Sequence, residues 1–390
     1  MAPWGCDWHI FSSDLKGSIV TKSSGGENID AQLVSIQSIN VDEVIVLTGG
    51  LKARIRDDEC VELYPIWRDG KPTWGKHISC DSFQSFLKER SIDIIGIKQS
   101  SRTDDGAHWR WAPAKPSHNP PLNNPSYRWT FISSGILESI KSGTSLDLIT
   151  GKSGETISEA HTRKLADLAK HIAIDLHQLN HAIVMMAEHL HIELVSQGPR
   201  CCRYSHIRNL DYSAYVHIFF QAFSAARDHY AQFLAIQMGQ NTIRGHEIDN
   251  MYSLLNAIEP SKLRELRIIK LLEQKNLLEI GEGTRKHKGK CRLVYKSDTW
   301  LKYANDLRNR FAHRSPYGTV PDEDITEIYQ PDVDSTIFLA KSFFEKGEGE
   351  FAPNTLRTTN HLYQNLCALF VLASDATGYD SYQPLVNLRT

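Results

Sequence analysis

A proline-dense segment divides this 390-residue chain into two parts with different hydrophobic patterns. Residues 112–126 contain five prolines, at positions 113, 116, 120, 121 and 125. Proline lacks a backbone N–H and fixes its φ angle, so such a segment is predicted to form neither a helix nor a central strand. The sequence therefore predicts a linker at residues 112–154, between an N-terminal part at 1–111 and a C-terminal part at 155–390.

The N-terminal part has the patterns of strands and one helix. Residues 44–47 are a short apolar run, and Asp69-Gly70 predicts a tight hairpin turn between two further strands. Helical spacing of apolar residues predicts a helix at 81–90, followed by a buried strand at 92–97. We therefore expect an α+β module, with a role as a sensor or specificity module.

Tryptophan is concentrated before the C-terminal part: seven of the eight residues precede position 130. Trp109-Arg110-Trp111 alternates aromatic and cationic side chains, and such a surface can stack nucleobases. The more frequent role of tryptophan is to fill a core, and the sequence favours that role. Recognition of a regulatory ligand by this surface is the alternative.

The C-terminal part has helical periodicity. Apolar residues recur at steps of three and four in residues 157–194, 212–238, 262–278, 299–313 and 356–373. These segments predict an all-α bundle. The fold class expected for the whole chain is therefore multi-domain, an α+β module followed by a helical bundle.

Composition excludes several classes of protein. The hydrophobic fraction of 41% and the charged fraction of 23% are typical of globular domains, not of disordered or collagen-like chains. Seven cysteines without regular spacing predict no disulfide framework. We see no signal peptide and no apolar run long enough to cross a bilayer, so we expect a soluble, cytoplasmic protein without a membrane partner.

Segment 299–313 carries the residues with the clearest chemical meaning. On a helix of 3.6 residues per turn, one face is apolar and consists of Trp300, Ala304, Leu307 and Phe311. A stripe at four-residue steps lies on the other side and consists of Asn305, Asn309 and His313, with Arg308 beside it. A helix C-terminus favours a protonated imidazole, so His313 is expected to be a good acid or base.

Arg308, Asn309 and His313 form the pattern of arginine, polar residue, three residues and histidine. This pattern resembles the motif of the HEPN superfamily, whose members are helical bundles and in many cases metal-independent ribonucleases. The resemblance covers residues 155–375 and implies that Arg308, Asn309 and His313 are catalytic. It also implies 2′-hydroxyl attack without metal or cofactor, a homodimer with a composite cleft, and a regulated stress, antiphage or toxin-type effector that has an antitoxin partner or a regulatory ligand.

Net charge is −2 for the whole chain, but residues 261–314 contain 15 Lys or Arg against 6 Asp or Glu. A basic segment next to the motif suits RNA, a polyanion. The candidate RNA-binding residues are Arg285, Lys286, Lys288, Lys290, Arg292 and Arg310. A solvated surface loop is the alternative explanation of this charge run.

Two other interpretations stay open at this stage. One alternative to a ribonuclease is a non-catalytic relative that binds RNA or a nucleotide. The other is a helical interaction protein in which the motif occurs by chance. His177 and His181 have the spacing of metal ligands, but their neighbours favour a helix–helix interface, so no metal site is predicted. Arg227 and Asp228 are predicted to form a local pair on a solvated turn of helix, and an approach of Arg227 or His229 to the motif helix is the alternative.

Overall fold

The fold was analysed in a computed structural model of the chain. It describes residues 41–56, 60–103, 106–114, 124–144, 157–204, 209–239, 242–243, 246–282, 289–313, 326–333, 335–343 and 354–379. None of the helices within these ranges is long and apolar enough to span a membrane.

The described residues of the N-terminal part, from 41 onwards, form an antiparallel sheet with one helix, in agreement with the predicted α+β character. Its elements are β1 (Val41–Leu47), β2 (Lys52–Ile55), β3 (Cys60–Arg68), β4 (Lys71–Ser79), α1 (Cys80–Glu89), β5 (Ile94–Thr103) and β6 (Gly106–Pro113). The strand order is β4-β3-β2-β1-β5-β6. Asp69 and Gly70 connect β3 and β4 with positive φ angles of 51° and 72°, which matches the turn type that twists with a hairpin.

The described helices of the remaining chain surround a long central pair. They are α2 (Pro125–Ser142), α3 (Glu159–Gln197), α4 (Asn209–Gln237), α5 (Met251–Ala257), α6 (Pro260–Leu263), α7 (Arg267–Gln274), α8 (Trp300–His313) and α9 (Thr355–Ala376). Asp175 of α3 contacts His229 of α4, and His189 contacts Tyr212. Helices α3 and α4 are therefore antiparallel, and α8 and α9 pack beside them.

The C-terminal part is not all-α, which corrects the predicted bundle. It also contains β7 (Arg203–Tyr204), β8 (Thr242–Ile243), β9 (His246–Glu247), β10 (Leu278–Glu282), β11 (Cys291–Tyr295), β12 (Thr326–Tyr329) and β13 (Leu339–Ser342). The segment 262–278, predicted as one helix, is α6 and α7 followed by the start of β10. Helical periodicity failed there because β10 is stabilised by pairing with β11, across a connection that a local pattern does not detect.

The structure also differs from the predicted linker at 112–154, because residues 125–142 form α2. Pro125 occupies the first turn of this helix, where a missing N–H costs no hydrogen bond, and the Asn124 side chain caps it by accepting from the Ser126 amide. Trp129 of α2 is fully buried, and the Ser133 hydroxyl donates to the Ala166 carbonyl of α3. Helix α2 is therefore part of the core.

The sheet packs directly on the helices. A Cβ atom at Gly50, in the turn between β1 and β2, would lie 2.7 Å from the Leu190 carbonyl oxygen of α3. The Gly50 carbonyl lies 2.7 Å from His191 Nδ1, and Lys52 pairs with Glu188 at 2.8 Å. Burial, with help from the charge of Lys52, lowers the pKa of His191. Burial at this junction therefore favours a neutral imidazole at His191, against the hydrogen bond to Gly50, which favours the protonated form.

A closed ring of hydrogen bonds joins the sheet to α2, α3 and α9. Trp111 Nε1 donates to the Tyr363 hydroxyl at 2.8 Å, and that hydroxyl donates to Asn180 Oδ1 at 2.7 Å. Asn180 Nδ2 donates to Asn124 Oδ1, and Asn124 Nδ2 donates to the Trp111 carbonyl. All four residues are buried, and we call them the neutral cluster. The burial of Trp111 and Trp129 supports a core role for these two tryptophans.

Candidate functional site

Helix α8 packs by the face that its sequence predicted. Leu301, Ala304, Leu307 and Phe311 are buried, and Trp300 is partly buried against the same core. The Phe311 ring lies 5.2 Å from that of Phe220, on α4. The helix begins after Thr299, whose hydroxyl oxygen accepts from the Lys302 amide. Apolar packing therefore fixes which side of α8 faces the core.

The opposite side of α8 carries the motif. Asn309 is exposed and Arg308 is partly exposed. Arg308 Nη1 donates to Asn309 Oδ1 at 3.0 Å, so a guanidinium and an amide are joined at the surface. His313 is the last residue of α8, and its side chain lies outside the described part of the structure. The backbone thus brings Arg308 and Asn309 within two turns of His313.

The first residue of the predicted stripe, Asn305, does not simply face solvent. Arg227 reaches from α4 and donates from Nη1 to Asn305 Oδ1. The same guanidinium donates from Nε to Asp228 Oδ1 at 2.9 Å and lies beside the Tyr295 hydroxyl of β11. We call Arg227, Asp228, Asn305 and Tyr295 the charged cluster.

The charged cluster corrects the interpretation of Arg227 as part of a solvated turn. The Arg227–Asp228 pair exists, but the Arg227 side chain is only 13% exposed. Burial alone would lower the pKa of Arg227, yet Tyr295 and Asp228 raise it, so the guanidinium stays charged. Burial also raises the pKa of Tyr295 to about 12. A sequence signal existed, because Arg227 lies four residues after Phe223 and three before Tyr230, both on the buried side of α4.

The predicted RNA-binding residues are not equivalent in the structure. Arg285, Lys286 and Lys288 lie outside the described residues. Lys290 is exposed and Arg310 is partly exposed. The structure buries Arg292 on β11, with 7% exposure and one hydrogen bond from Nη1 to the Cys291 carbonyl. Surface contact with RNA is therefore open to Lys290 and Arg310 but not to Arg292.

His177 and His181 of α3 lie along its boundary with α4, as their neighbours indicated. His177 and His181 line an open groove of about 470 Å³ between the two helices. Further along, His229 Nδ1 lies 2.7 Å from the buried Asp175 carboxylate, and the His229 ring lies 5.1 Å from that of His171. No three histidine, cysteine, aspartate or glutamate side chains converge as metal ligands anywhere in the described ranges.

No protein-family model, curated protein or solved structure matches this chain. Function is therefore inferred from the residues and their geometry. The structure brings Arg308 and Asn309 together at the surface and adds Arg227, which the sequence did not assign to this helix. It removes Arg292 from the accessible basic surface.

Proposed function

We propose that this protein is a metal-independent endoribonuclease that cleaves RNA with Arg308, Asn309 and His313, on a helical fold of the HEPN type. One observation carries the proposal. Helix α8 buries its apolar face and leaves the hydrogen-bonded Arg308 and Asn309 side chains at the surface, close to the helix end at His313. A forked cation can bind the phosphate, an amide can orient its neighbours and an imidazole can transfer protons, and together these groups suit phosphodiester cleavage.

The reaction uses the nucleophile that RNA itself carries. A base removes the proton of the 2′-hydroxyl, whose oxygen attacks the adjacent phosphorus while the bond to the 5′-oxygen breaks. An acid gives that 5′-oxygen a proton, so the products are a 2′,3′-cyclic phosphate and a 5′-hydroxyl. Free histidine has a pKa of about 6.5, so an imidazole at position 313 suits either proton transfer. Arg308 stabilises the additional charge on the phosphate oxygens, and Asn309 orients Arg308 through its hydrogen bond.

A second copy of the chain completes the site in this proposal. Arg308 and His313 are five residues apart, so they point about 140° apart on one ideal helix. A single α8 helix can therefore direct Arg308 or His313 at a given phosphate, but not both. In a symmetric dimer, Arg308 of one copy and His313 of the other can meet at one phosphate.

RNA binding is proposed to use the exposed and partly exposed cations among the candidate RNA-binding residues. Lys290 and Arg310 are the described members of this surface, and Arg285, Lys286 and Lys288 belong to the same basic segment. Their contacts would go to phosphates and give affinity without sequence specificity. The proposed biological role is a stress, antiphage or toxin-type effector in which the sheet of the N-terminal part controls the nuclease.

The test is cleavage of a labelled RNA pool by the full chain in the presence of EDTA. The wild type is expected to leave 2′,3′-cyclic phosphate ends, and His313→Ala and Arg308→Ala are each expected to reduce the rate by about 10²–10⁴-fold. Arg163→Ala is the matched control, because Arg163 is also an exposed helical arginine. Equal cleavage by all four proteins would contradict the proposal, and RNA binding without cleavage by the wild type would identify a non-catalytic relative.

Mixing the two inactive variants tests the composite site. A heterodimer of Arg308→Ala and His313→Ala copies has one site with both residues and one site with neither. Random exchange of subunits should then restore about a quarter of the wild-type rate. No recovery in a mixture with demonstrated subunit exchange would place the site within one copy.

A further inference from the structure

The charged cluster connects α4 to α8 immediately before the motif. Asn305, the residue on α8 that Arg227 contacts, lies one helical turn before Asn309. We infer that Arg227 is a positioning residue: by holding Asn305 it sets the rotation of α8 about its own axis, and with it the directions of Arg308 and His313. The inference rests on the function proposed for α8 and adds a residue of α4 to it.

Apolar packing fixes which side of α8 faces the core, but it constrains the exact rotation of the helix less than a directional bond does. The buried residues of α8 include Ala304, which has the smallest side chain with a Cβ atom, and apolar contacts have no preferred direction. A hydrogen bond is directional, because it weakens steeply when donor and acceptor are misaligned. The Arg227–Asn305 bond therefore adds an angular constraint to that of the apolar face.

Arg227 is itself held on several sides, as a positioning residue must be. Its Nε and Nη2 atoms contact the two Asp228 carboxylate oxygens at 2.9 and 3.3 Å, and Nη2 also contacts Ser224 Oγ at 3.4 Å. Asp228 Oδ1 in turn accepts from the Met251 amide at the start of α5. The planar guanidinium serves all these partners at once, which a lysine ammonium on a flexible chain does not.

This arrangement predicts a specific kinetic effect. Arg227 makes its described contacts with protein groups and is mostly buried, so its removal should change RNA binding little. A displacement of about 1 Å at a reacting group lowers rates by about 10²-fold. Arg227→Gln is therefore expected to reduce kcat by about 10–100-fold and to leave KM within about twofold of the wild-type value.

The experiment is a double-mutant cycle on the full chain with four proteins: the wild type, Arg227→Gln, Asn305→Ala and the double variant. If both residues act through one bond, the double variant should lose no more kcat than the more severe single variant. Asn305→Asp keeps an acceptor opposite Arg227 and is expected to retain most of the wild-type kcat. Arg264→Gln is the control for the general loss of an arginine ion pair. Arg264 forms such a pair, of 2.7 Å, with Glu273 on α7 rather than with a residue of α8.

Two outcomes would overturn the inference while the proposed function stands. One is wild-type kcat in Arg227→Gln, and the other is independent, multiplicative losses in the cycle. Absence of cyclic phosphate products from the wild type would instead overturn the proposed function. In that case hydrogen exchange tests the positioning role of Arg227 independently of catalysis. Amides 305–313 should exchange faster in Arg227→Gln than in Arg264→Gln, and equal exchange would overturn the inference.

Discussion

The neutral cluster and the charged cluster both join distant parts of the chain by hydrogen bonds, but they differ in charge and exposure. In the neutral cluster each residue bonds to the next around a closed, buried ring, and burial raises the pKa of Tyr363 well above its usual range. In the charged cluster, Arg227 and Asp228 are 13% and 25% exposed, and one branch ends on α8. A closed neutral ring can only hold elements together, whereas a cluster that ends on a surface helix can also orient residues that meet a substrate.

The largest effect is expected in the apolar core between the two clusters. Trp129 follows the Asn124 cap of α2, and its ring lies 5.5 Å from that of Tyr230, which borders a small cavity of about 30 Å³ beside Arg227. Trp129→Ala should lower the free energy of unfolding by about 4 kcal/mol, because it removes a fully buried aromatic side chain. Urea unfolding measures this change.

The partly exposed Trp74 provides the matched control for Trp129. It lies on β4 under the Arg54 guanidinium, and Trp74→Ala should cost about 1 kcal/mol. A loss below about 0.5 kcal/mol in the free energy of unfolding of Trp129→Ala would contradict this prediction. It would show that α2 behaves as the linker that its prolines predict and is not a packed element between the two clusters.

The next largest effect tests whether the neutral ring is closed. Tyr363→Phe leaves Trp111 Nε1 without its acceptor and Asn180 Oδ1 without its donor, both in the core. Each unpaired buried group costs about 1–3 kcal/mol, so we expect a loss of about 3 kcal/mol in the free energy of unfolding. RNA cleavage per folded molecule should not change. Tyr252→Phe, at an exposed position, is the control, and equal losses in the two variants would remove the contrast between the clusters.

The smallest effect at neutral pH is expected for the tyrosine of the charged cluster. Tyr295→Phe removes one neighbour of Arg227, but the guanidinium keeps Asp228, Ser224 and Asn305. The expected loss in the free energy of unfolding at pH 7 is therefore about 0.5 kcal/mol. Urea unfolding at pH 7 gives this value, and a loss as large as that of Tyr363→Phe would contradict the contrast.

Unfolding at alkaline pH tests the contribution of Tyr295 in a second way. The pKa of Tyr295 is raised to about 12 in the folded protein, chiefly by burial, against about 10 in an unfolded chain. The contribution of Tyr295 to stability is therefore complete below pH 10 and is lost as the pH rises towards 12, since the unfolded chain gives up its proton first. Unfolding series between pH 9 and 11.5 should show a shallower decline for Tyr295→Phe than for the wild type. Parallel declines would show that the hydroxyl is not shielded from water.

Much of the fold followed from local patterns. The hairpin at Asp69-Gly70, the helical character of the segments that form α3 and α4, and the packing face of α8 were predicted, because alternation and helical spacing are properties of neighbouring residues. Whether segment 157–194 forms one helix or two was left open by its pattern, and the structure has one. The pairing of β10 with β11 was missed, since it links segments separated by a connection that carries no apolar pattern. The prolines before residue 126 predict a linker, but Pro125 lies in the first turn of α2, where a helix tolerates proline.

The candidate site was also predictable from the sequence only in part. The exposure of Asn309 and the proximity of Arg308 to it followed from their places on one helix. The burial of Arg292 did not, because whether a cation on a strand faces water depends on what covers that strand. The contact between Arg227 and Asn305 did not either, because the two residues are 78 positions apart.

The sequence by itself determined which face of α8 is apolar and which carries arginine, asparagine and histidine, because a helix repeats every 3.6 residues whatever its surroundings. Only the tertiary structure decided what holds that helix at its angle. The bond from Arg227 to Asn305 joins α8 to α4, and elsewhere the ring through Trp111 and Tyr363 joins the sheet to α2, α3 and α9. Such bonds depend on distances between elements, which are set when the whole core packs and are not encoded in any one segment.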